Sequence, residues 1–342
     1  MIAQSERTMN EPLTSAGQAG PHPWPTHQFR AMGSQIHLWL DGEEAQAPPF
    51  FRRAEALFRR VEARLTRFAG HSELSRLNAQ PEAWVPVSAL LWDVLQHALR
   101  LARETGGLFD PTLLPALEAA GYTASLEALA QARPAQAGVA RPGCWADLRL
   151  DPERRAVWLP AGARLDLGGI GKGYTAQLAA DLLGAAGPAL VDAGGDLVAG
   201  AAPRDFPGWP VAVAAPGGEA APDLFHLWLA HSALATSGTD HRRWPQAGKP
   251  AHHLIDPASG RPAQSDVIAA TVLAPEATTA EAWATAALIA GRERGLALLL
   301  ERDLAGALTG PTGKTELTPL MAAHVVWPVL QTPASPDSNR QG

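Results

Sequence analysis

The stretch Leu165-Asp166-Leu167-Gly168-Gly169-Ile170-Gly171-Lys172-Gly173-Tyr174 places a strand-like approach ahead of four glycines and one lysine, and a helical pattern follows it. Glycines let the main chain approach a ligand with its N–H groups exposed. A helix start favours negative charge, and Lys172 adds a full positive charge. The stretch reads as an anion cradle for a phosphate-bearing ligand; the plain alternative is a tight strand-to-helix connection whose lysine sits in water. Two phosphate motifs fail here. A Walker loop needs Ser or Thr where the chain has Gly173 and a glycine where it has Asp166. A dinucleotide fingerprint begun at Gly169 and Gly171 needs a glycine at Tyr174.

A chain of 342 residues with 46% apolar content can bury a substantial core, as one large or two modest domains. Its net charge of −6, from 28 basic and 34 acidic residues, supplies no basic field for nucleic acid or anionic lipid. The single cysteine, Cys144, excludes an internal disulfide and a cysteine-built metal site. Residues 1–26 are rich in Ser, Gly, Pro and Gln, without an apolar run or paired arginines, so a disordered extension on a cytoplasmic protein is expected. Residues 331–342 have the same character and are expected to be a disordered tail. No stretch approaches the roughly 20 apolar residues that cross a bilayer.

Between the tails helix and strand periodicities mix. Strands are expected at Gln35 to Asp41, Ala156 to Leu159, Leu190 to Asp192, Val211 to Ala214, Phe225 to Leu229, Ile268 to Leu273 and His324 to Trp327. Helices are expected at Pro49 to Arg67, after an N-cap at Ser88, and at Ala176 to Leu183, Thr279 to Ala290 and Gly295 to Glu301. Gly106-Gly107 stops the helix that follows Ser88, and Pro115 to Pro142 reads as a helical excursion or insertion. The fold class is α+β, with mixed sheets and helices rather than a repeating βαβ array.

Polar clusters gather in the last third. The adjacent His252 and His253 point opposite ways on an extended segment, so a metal pair is disfavoured, while one general base is reasonable. A structural His-Asp pairing is the plain alternative. Glu281 and Thr285 stand four apart on one helical face and both offer oxygen, the ligand type of a hard cation. A dipole-favoured Glu and a Thr bonded to its own turn would explain the same pattern.

Taken in order, seven segments resemble the ApbE family of flavin transferases, which use FAD to attach FMN to a protein. They are Ala31-Met32-Gly33-Ser34, Ser72-Glu73-Leu74-Ser75-Arg76-Leu77-Asn78, the turn from Gly107 to Thr112, Asp166 to Tyr174, Gly194-Gly195-Asp196, Thr236-Ser237-Gly238 and His253 to Gly260. The resemblance implies a flavin transferase domain over residues 27–330, with the FAD site in a cleft between two subdomains or within one. It implies that Met32, Phe68, Leu108, Phe109, Asp110, Gly168, Gly169, Lys172, Tyr174, Gly195, Asp196, Ser237 and Leu254 bind FAD. The Gly171 carbonyl, Glu281 and Thr285 would hold Mg²⁺, and His253 would be the catalytic base with Lys172 on the diphosphate.

The implied activity is Mg²⁺-dependent transfer of FMN from FAD to a Thr or Ser hydroxyl of a target flavoprotein, releasing AMP. The alternatives are an FAD pyrophosphatase giving FMN and AMP, and a non-catalytic FAD-binding protein. Three positions depart from the family: Glu281 and Gln177 stand where Asp is common, and Phe68 where Tyr is common.

Overall fold

The computed structural model describes residues 24–125, 128, 142–217, 221–240, 242–246 and 249–327. Of the segments expected to be disordered, residues 1–23 and 331–342 lie outside these, as does most of the excursion that runs from Pro115 to Pro142.

An antiparallel sheet of eight strands runs through the described residues. Its strands are β1 (Thr26–Ala31), β2 (Ser34–Leu40), β3 (Ala189–Ala193), β4 (Leu197–Ala199), β5 (Ser232–Gly238), β6 (Ala269–Ala274), β7 (Ala305–Thr309) and β8 (Thr315–Leu317). They lie side by side in chain order, each antiparallel to the next. The sheet is therefore a meander, and the other elements are inserted at its turns. Helices α1 (Ala47–Leu65), α2 (Glu73–Asn78), α3 (Ala89–Glu104), α4 (Leu114–Ala119) and α5 (Gly171–Gly184) fall between β2 and β3. Helices α6 (Ala277–Ala290) and α7 (Arg292–Glu301) fall between β6 and β7, and α8 (Pro319–His324) follows β8.

Strand alternation gives this sheet two buried faces. Leu190 and Leu234 pack with Trp209, Phe225 and Met321, whereas their neighbours Val191, Ala233 and Ala235 pack with the helices. The first face is covered by a small sheet of Trp209–Ala214, Asp223–Leu229 and Val325–Trp327. On the second, α5 packs against α1 and β3, and α6 against β5 and β6. Helix α1 turns Leu57, Phe58, Val61 and Leu65 inward at three- and four-residue spacing. Each of these side chains contributes about 1.5–3 kcal/mol on burial. Ser88 caps α3 as expected, its hydroxyl accepting from Leu91 N at 3.3 Å.

Two helices differ from their amphipathic neighbours. In α6 small alanines are buried all round, so Glu281 is carried into the interior at 5% exposure. Helix α5 starts at Gly171 rather than near Ala176, so Gly171, Lys172 and Gly173 form its first turn. A run containing two glycines looks too weak for a helix by propensity alone. What holds it is tertiary: Gly171 N donates to Leu167 O at 2.8 Å, and Gly173 N donates to the Glu281 carboxylate at 2.9 Å.

Candidate functional site

A cleft of about 840 Å³ opens where the end of α1, the loop after α3, the first turn of α5, the β3–β4 turn and α6 come together. Local chemistry sets the position of each wall. Met32 sits in a left-handed turn at φ 54°, and its N–H donates to Glu62 Oε1 at 2.7 Å, tying the β1–β2 turn to α1. Asn78 clamps the strand-like approach to the glycine turn, donating to Leu165 O at 2.9 Å and accepting from Leu165 N at 2.7 Å. Asp166 then accepts from Gly168 N at 2.8 Å and pairs with Arg67 at 2.6 Å. The glycine turn is thus held from α2 and from the α1–α2 connection before any ligand enters.

At the deep end Lys172 Nζ meets two buried carboxylates. It donates to Glu281 Oε1 at 2.7 Å and to Asp196 Oδ2. The other Glu281 oxygen takes the Gly173 N–H, so this helix start faces an anion that the protein itself supplies. A Cβ on residue 173 would lie 2.6 Å from Glu281 Oε2, which explains the glycine there. Burial disfavours the charged ammonium, but Asp196 and Glu281 outweigh it and push the Lys172 pKa up to about 12. Burial holds Glu281 above the usual carboxylate range against the pull of Lys172.

Two carboxylates against one ammonium leave a negative surplus, and the nearby donors suit a hard cation. The Gly171 carbonyl accepts from Thr175 Oγ1 at 2.7 Å, and the Thr285 hydroxyl bonds Ser237 Oγ at 2.9 Å; Gly171, Thr285 and Ser237 all line the cleft. Among the described residues no group of three or more His, Cys, Asp or Glu could hold a metal ion. A cation here would use few carboxylates, neutral oxygens and its ligand's phosphates, a pattern typical of Mg²⁺. The oxygens present therefore fit such an ion.

His252 ends its strand and His253 follows it in a bend, and the two rings have different surroundings. His252 Nε2 bonds the Ala263 carbonyl at 3.1 Å, whereas His253 lines the cleft. The His253 Nδ1 is buried and has no hydrogen-bond partner among the described residues. Burial, then the charges of Arg242, His252 and Lys172, hold its pKa well below the ordinary histidine value. Its ring is therefore neutral at physiological pH.

Of the remaining expected residues, Met32, Phe68, Leu108, Phe109, Asp110, Gly168, Gly169, Asp196 and Leu254 line the cleft. Asp110 is buried and already engaged: its Oδ1 accepts from Thr112 N at 2.7 Å and Thr112 Oγ1 at 2.6 Å. Burial raises its pKa against those bonds. Two expected residues do not line the cleft. The Tyr174 hydroxyl donates to Asp93 at 2.6 Å and its ring meets His97, because its place on α5 turns it toward α3. Gly195 serves the β3–β4 turn, where its N–H donates to Asp192 Oδ1 at 2.7 Å.

The cleft also holds residues that sequence reasoning missed, among them Glu62, Tyr122 and Arg242. Glu62 reads as the solvated face of an amphipathic helix, and Arg242 as charge in a loop. Tyr122 stacks on Trp244 at 5.0 Å, and the Arg67 guanidinium lies 4.6 Å from the Tyr122 ring and 4.2 Å over Phe68. Only its aromatic character offered a signal.

The model of the ApbE family matches residues 32–308. The FAD:protein FMN transferase of Treponema pallidum is 33% identical over 251 residues, covering 67% of this chain and 68% of that protein. That of Haemophilus influenzae is 28% identical, covering 81% of this chain and 83% of its own length. In fold, the ApbE protein of Thermotoga maritima superposes with a TM-score of 0.78 at 23% identity, covering 88% of this chain and 99% of that one. All of the cleft-lining residues except Arg30 and Ala31 fall inside the matched span, and the chain belongs to the ApbE family.

Proposed function

We propose that this protein is an enzyme that moves FMN from FAD to a Thr or Ser hydroxyl of a target protein and releases AMP. Family membership supports the reaction class. The observation that carries the mechanism is the meeting of Lys172, His253 and the surplus carboxylate Glu281 in one cleft. FAD is the FMN donor and lies along the cleft with its diphosphate toward Lys172. Gly168 and Gly169 are exposed on the cleft wall and offer close backbone approach.

Glu281, Thr285 and the Gly171 carbonyl would hold Mg²⁺, which would supply charge neutralisation at the diphosphate. Lys172 adds a fixed positive charge, held in place by Asp196, that stabilises negative charge in the transition state. Neutral His253 takes the proton from the target hydroxyl as the hydroxyl oxygen attacks the phosphorus on the FMN side. General-base assistance of this kind contributes roughly 10²–10⁴ in rate. Most of the remaining acceleration comes from positioning and electrostatics, as in other phosphoryl transfers.

One incubation tests this reading. The protein is mixed with FAD, Mg²⁺ and a candidate flavoprotein carrying an acceptor Thr, and the acceptor is weighed by mass spectrometry. A covalent FMN increment is expected. Free FMN and AMP without the increment would replace transfer by hydrolysis, and retained FAD without turnover would leave a binding protein.

A further inference from the structure

Four arginines line the cleft: Arg30, Arg59, Arg67 and Arg242. Arg59 donates to Glu55 at 2.8 Å, Arg67 pairs with Asp166 at 2.6 Å, and Arg30 also has a partner. For Arg242 no hydrogen bond or ion pair of the guanidinium occurs among the described residues. It precedes the strand Arg243–Gln246, whose partner strand Lys249–His252 ends beside His253. Arg242 therefore faces the same part of the cleft as His253, and its charge acts on both His253 and Lys172.

A half-buried guanidinium without a carboxylate calls for an anion from outside. The charge balance points to which one. Lys172 is already outnumbered by Asp196 and Glu281. A bound diphosphate adds two negative charges, which a divalent cation, Lys172 and Arg242 together offset along with both carboxylates. Without Arg242 the loaded site keeps one uncompensated negative charge in a sheltered place, where such charge is costly. Arginine's planar fork also matches phosphate oxygens two at a time.

On the transfer reading above, we propose that Arg242 is a catalytic residue that holds the phosphate on the FMN side of FAD and remains on it through the attack. The acceptor oxygen forms the new bond to phosphorus, and its proton passes to His253. The bond from phosphorus to the bridging oxygen breaks, and AMP leaves with that electron pair on its phosphate. The guanidinium stays on the equatorial oxygens as charge redistributes, the role arginine plays in other phosphoryl transfers.

The test uses the full chain and the variants Arg242→Ala and Arg242→Lys, with Mg²⁺ present. Flavin fluorescence reports affinity for riboflavin, which lacks the phosphate, and for FMN, which carries it. Arg242→Ala should weaken FMN about tenfold or more, the loss of a charge-assisted hydrogen bond, and leave riboflavin nearly unchanged. Its transfer rate should fall by about 10²–10³, the cost of removing one donor to developing charge. Arg242→Lys should regain part of the FMN affinity but little of the rate, because a point charge lacks the fork.

Equal losses for riboflavin and FMN, or unchanged FMN affinity with an unchanged rate, would overturn the proposal. The binding measurements need no acceptor protein. A parent protein that transfers nothing, yet loses FMN selectively on Arg242→Ala, would overturn the transfer reading and keep the phosphate contact.

Discussion

Replacing Lys172 by Met in metal-free buffer tests the electrostatics at the bottom of the cleft without any appeal to catalysis. Lys172 is 9% exposed, and its ammonium serves Asp196 and Glu281, themselves 6% and 5% exposed. Methionine keeps the apolar stem and removes the charge. Two buried carboxylates then lose the ammonium between them, and Glu281 keeps the Gly173 N–H. Breaking a buried pair in this way costs about 3–5 kcal/mol. At the lower end of about 2–4 °C per kcal/mol for domains of a few hundred residues, melting should fall by roughly 6–10 °C at pH 8.

The sign of the pH dependence is fixed. The Lys172 pKa is raised, so its contribution is fully present below the unfolded lysine value of about 10.4. In the variant Glu281 loses the ammonium that pulls its pKa down, and burial raises it further above the unfolded value of about 4.3. The folded variant then binds a proton that the unfolded chain has released, and it loses stability as pH rises through that raised pKa. Its deficit against the parent should be small near pH 5 and large at pH 8. Adding Glu281→Gln removes one of the stranded charges and should recover about half of the loss. The assay is calorimetry or circular dichroism on parent, single and double variants at both pH values. A Lys172→Met protein that melts with the parent at pH 8, or with the same deficit at pH 5, would refute the reasoning.

Four further outcomes are expected. His253→Ala should lower transfer by roughly 10²–10⁴ and leave FAD affinity within severalfold, because the base acts in the transition state; a large loss of FAD binding would reassign His253 to holding the ligand. Because the His253 pKa lies well below its usual value, the His253 imidazole followed by NMR should stay neutral as pH falls through about 6.5, and an imidazole titration centred there would contradict the site's electrostatics. Glu281→Gln should abolish the gain in melting temperature that Mg²⁺ gives the parent, about 2.7 kcal/mol at a hundred times its dissociation constant; an unchanged Mg²⁺ titration would show that Glu281 is not a ligand. Gly173→Ala should displace the Glu281 carboxylate, since the new Cβ would stand 2.6 Å from it, and the Mg²⁺ titration should shift to higher concentration.

What could be read from residue order alone was everything that depends on near neighbours. The apolar spacing of Leu57, Phe58, Val61 and Leu65 makes α1 amphipathic wherever it packs, and Ser88 is a cap because it precedes such a pattern. On an extended segment the adjacent His252 and His253 are expected to point apart, since a strand points successive side chains to opposite faces. The glycine-lysine turn was equally visible, as was the order of the motifs that resemble one family.

Only the tertiary structure decided who meets whom. Glu281 lies 109 residues from Lys172 and 108 from Gly173, and Asn78 lies 87 from Leu165, so no local window of sequence contains any of these three pairs. The alanines of α6 let it pack closely, and this brings a carboxylate to the first turn of α5 and starts that helix earlier than propensity suggests. The same packing turns Tyr174 toward Asp93 and leaves Arg242 facing the cleft. A buried polar group takes whichever partner the packing supplies, and that choice depends on the whole sheet and its helices rather than on the adjoining residues.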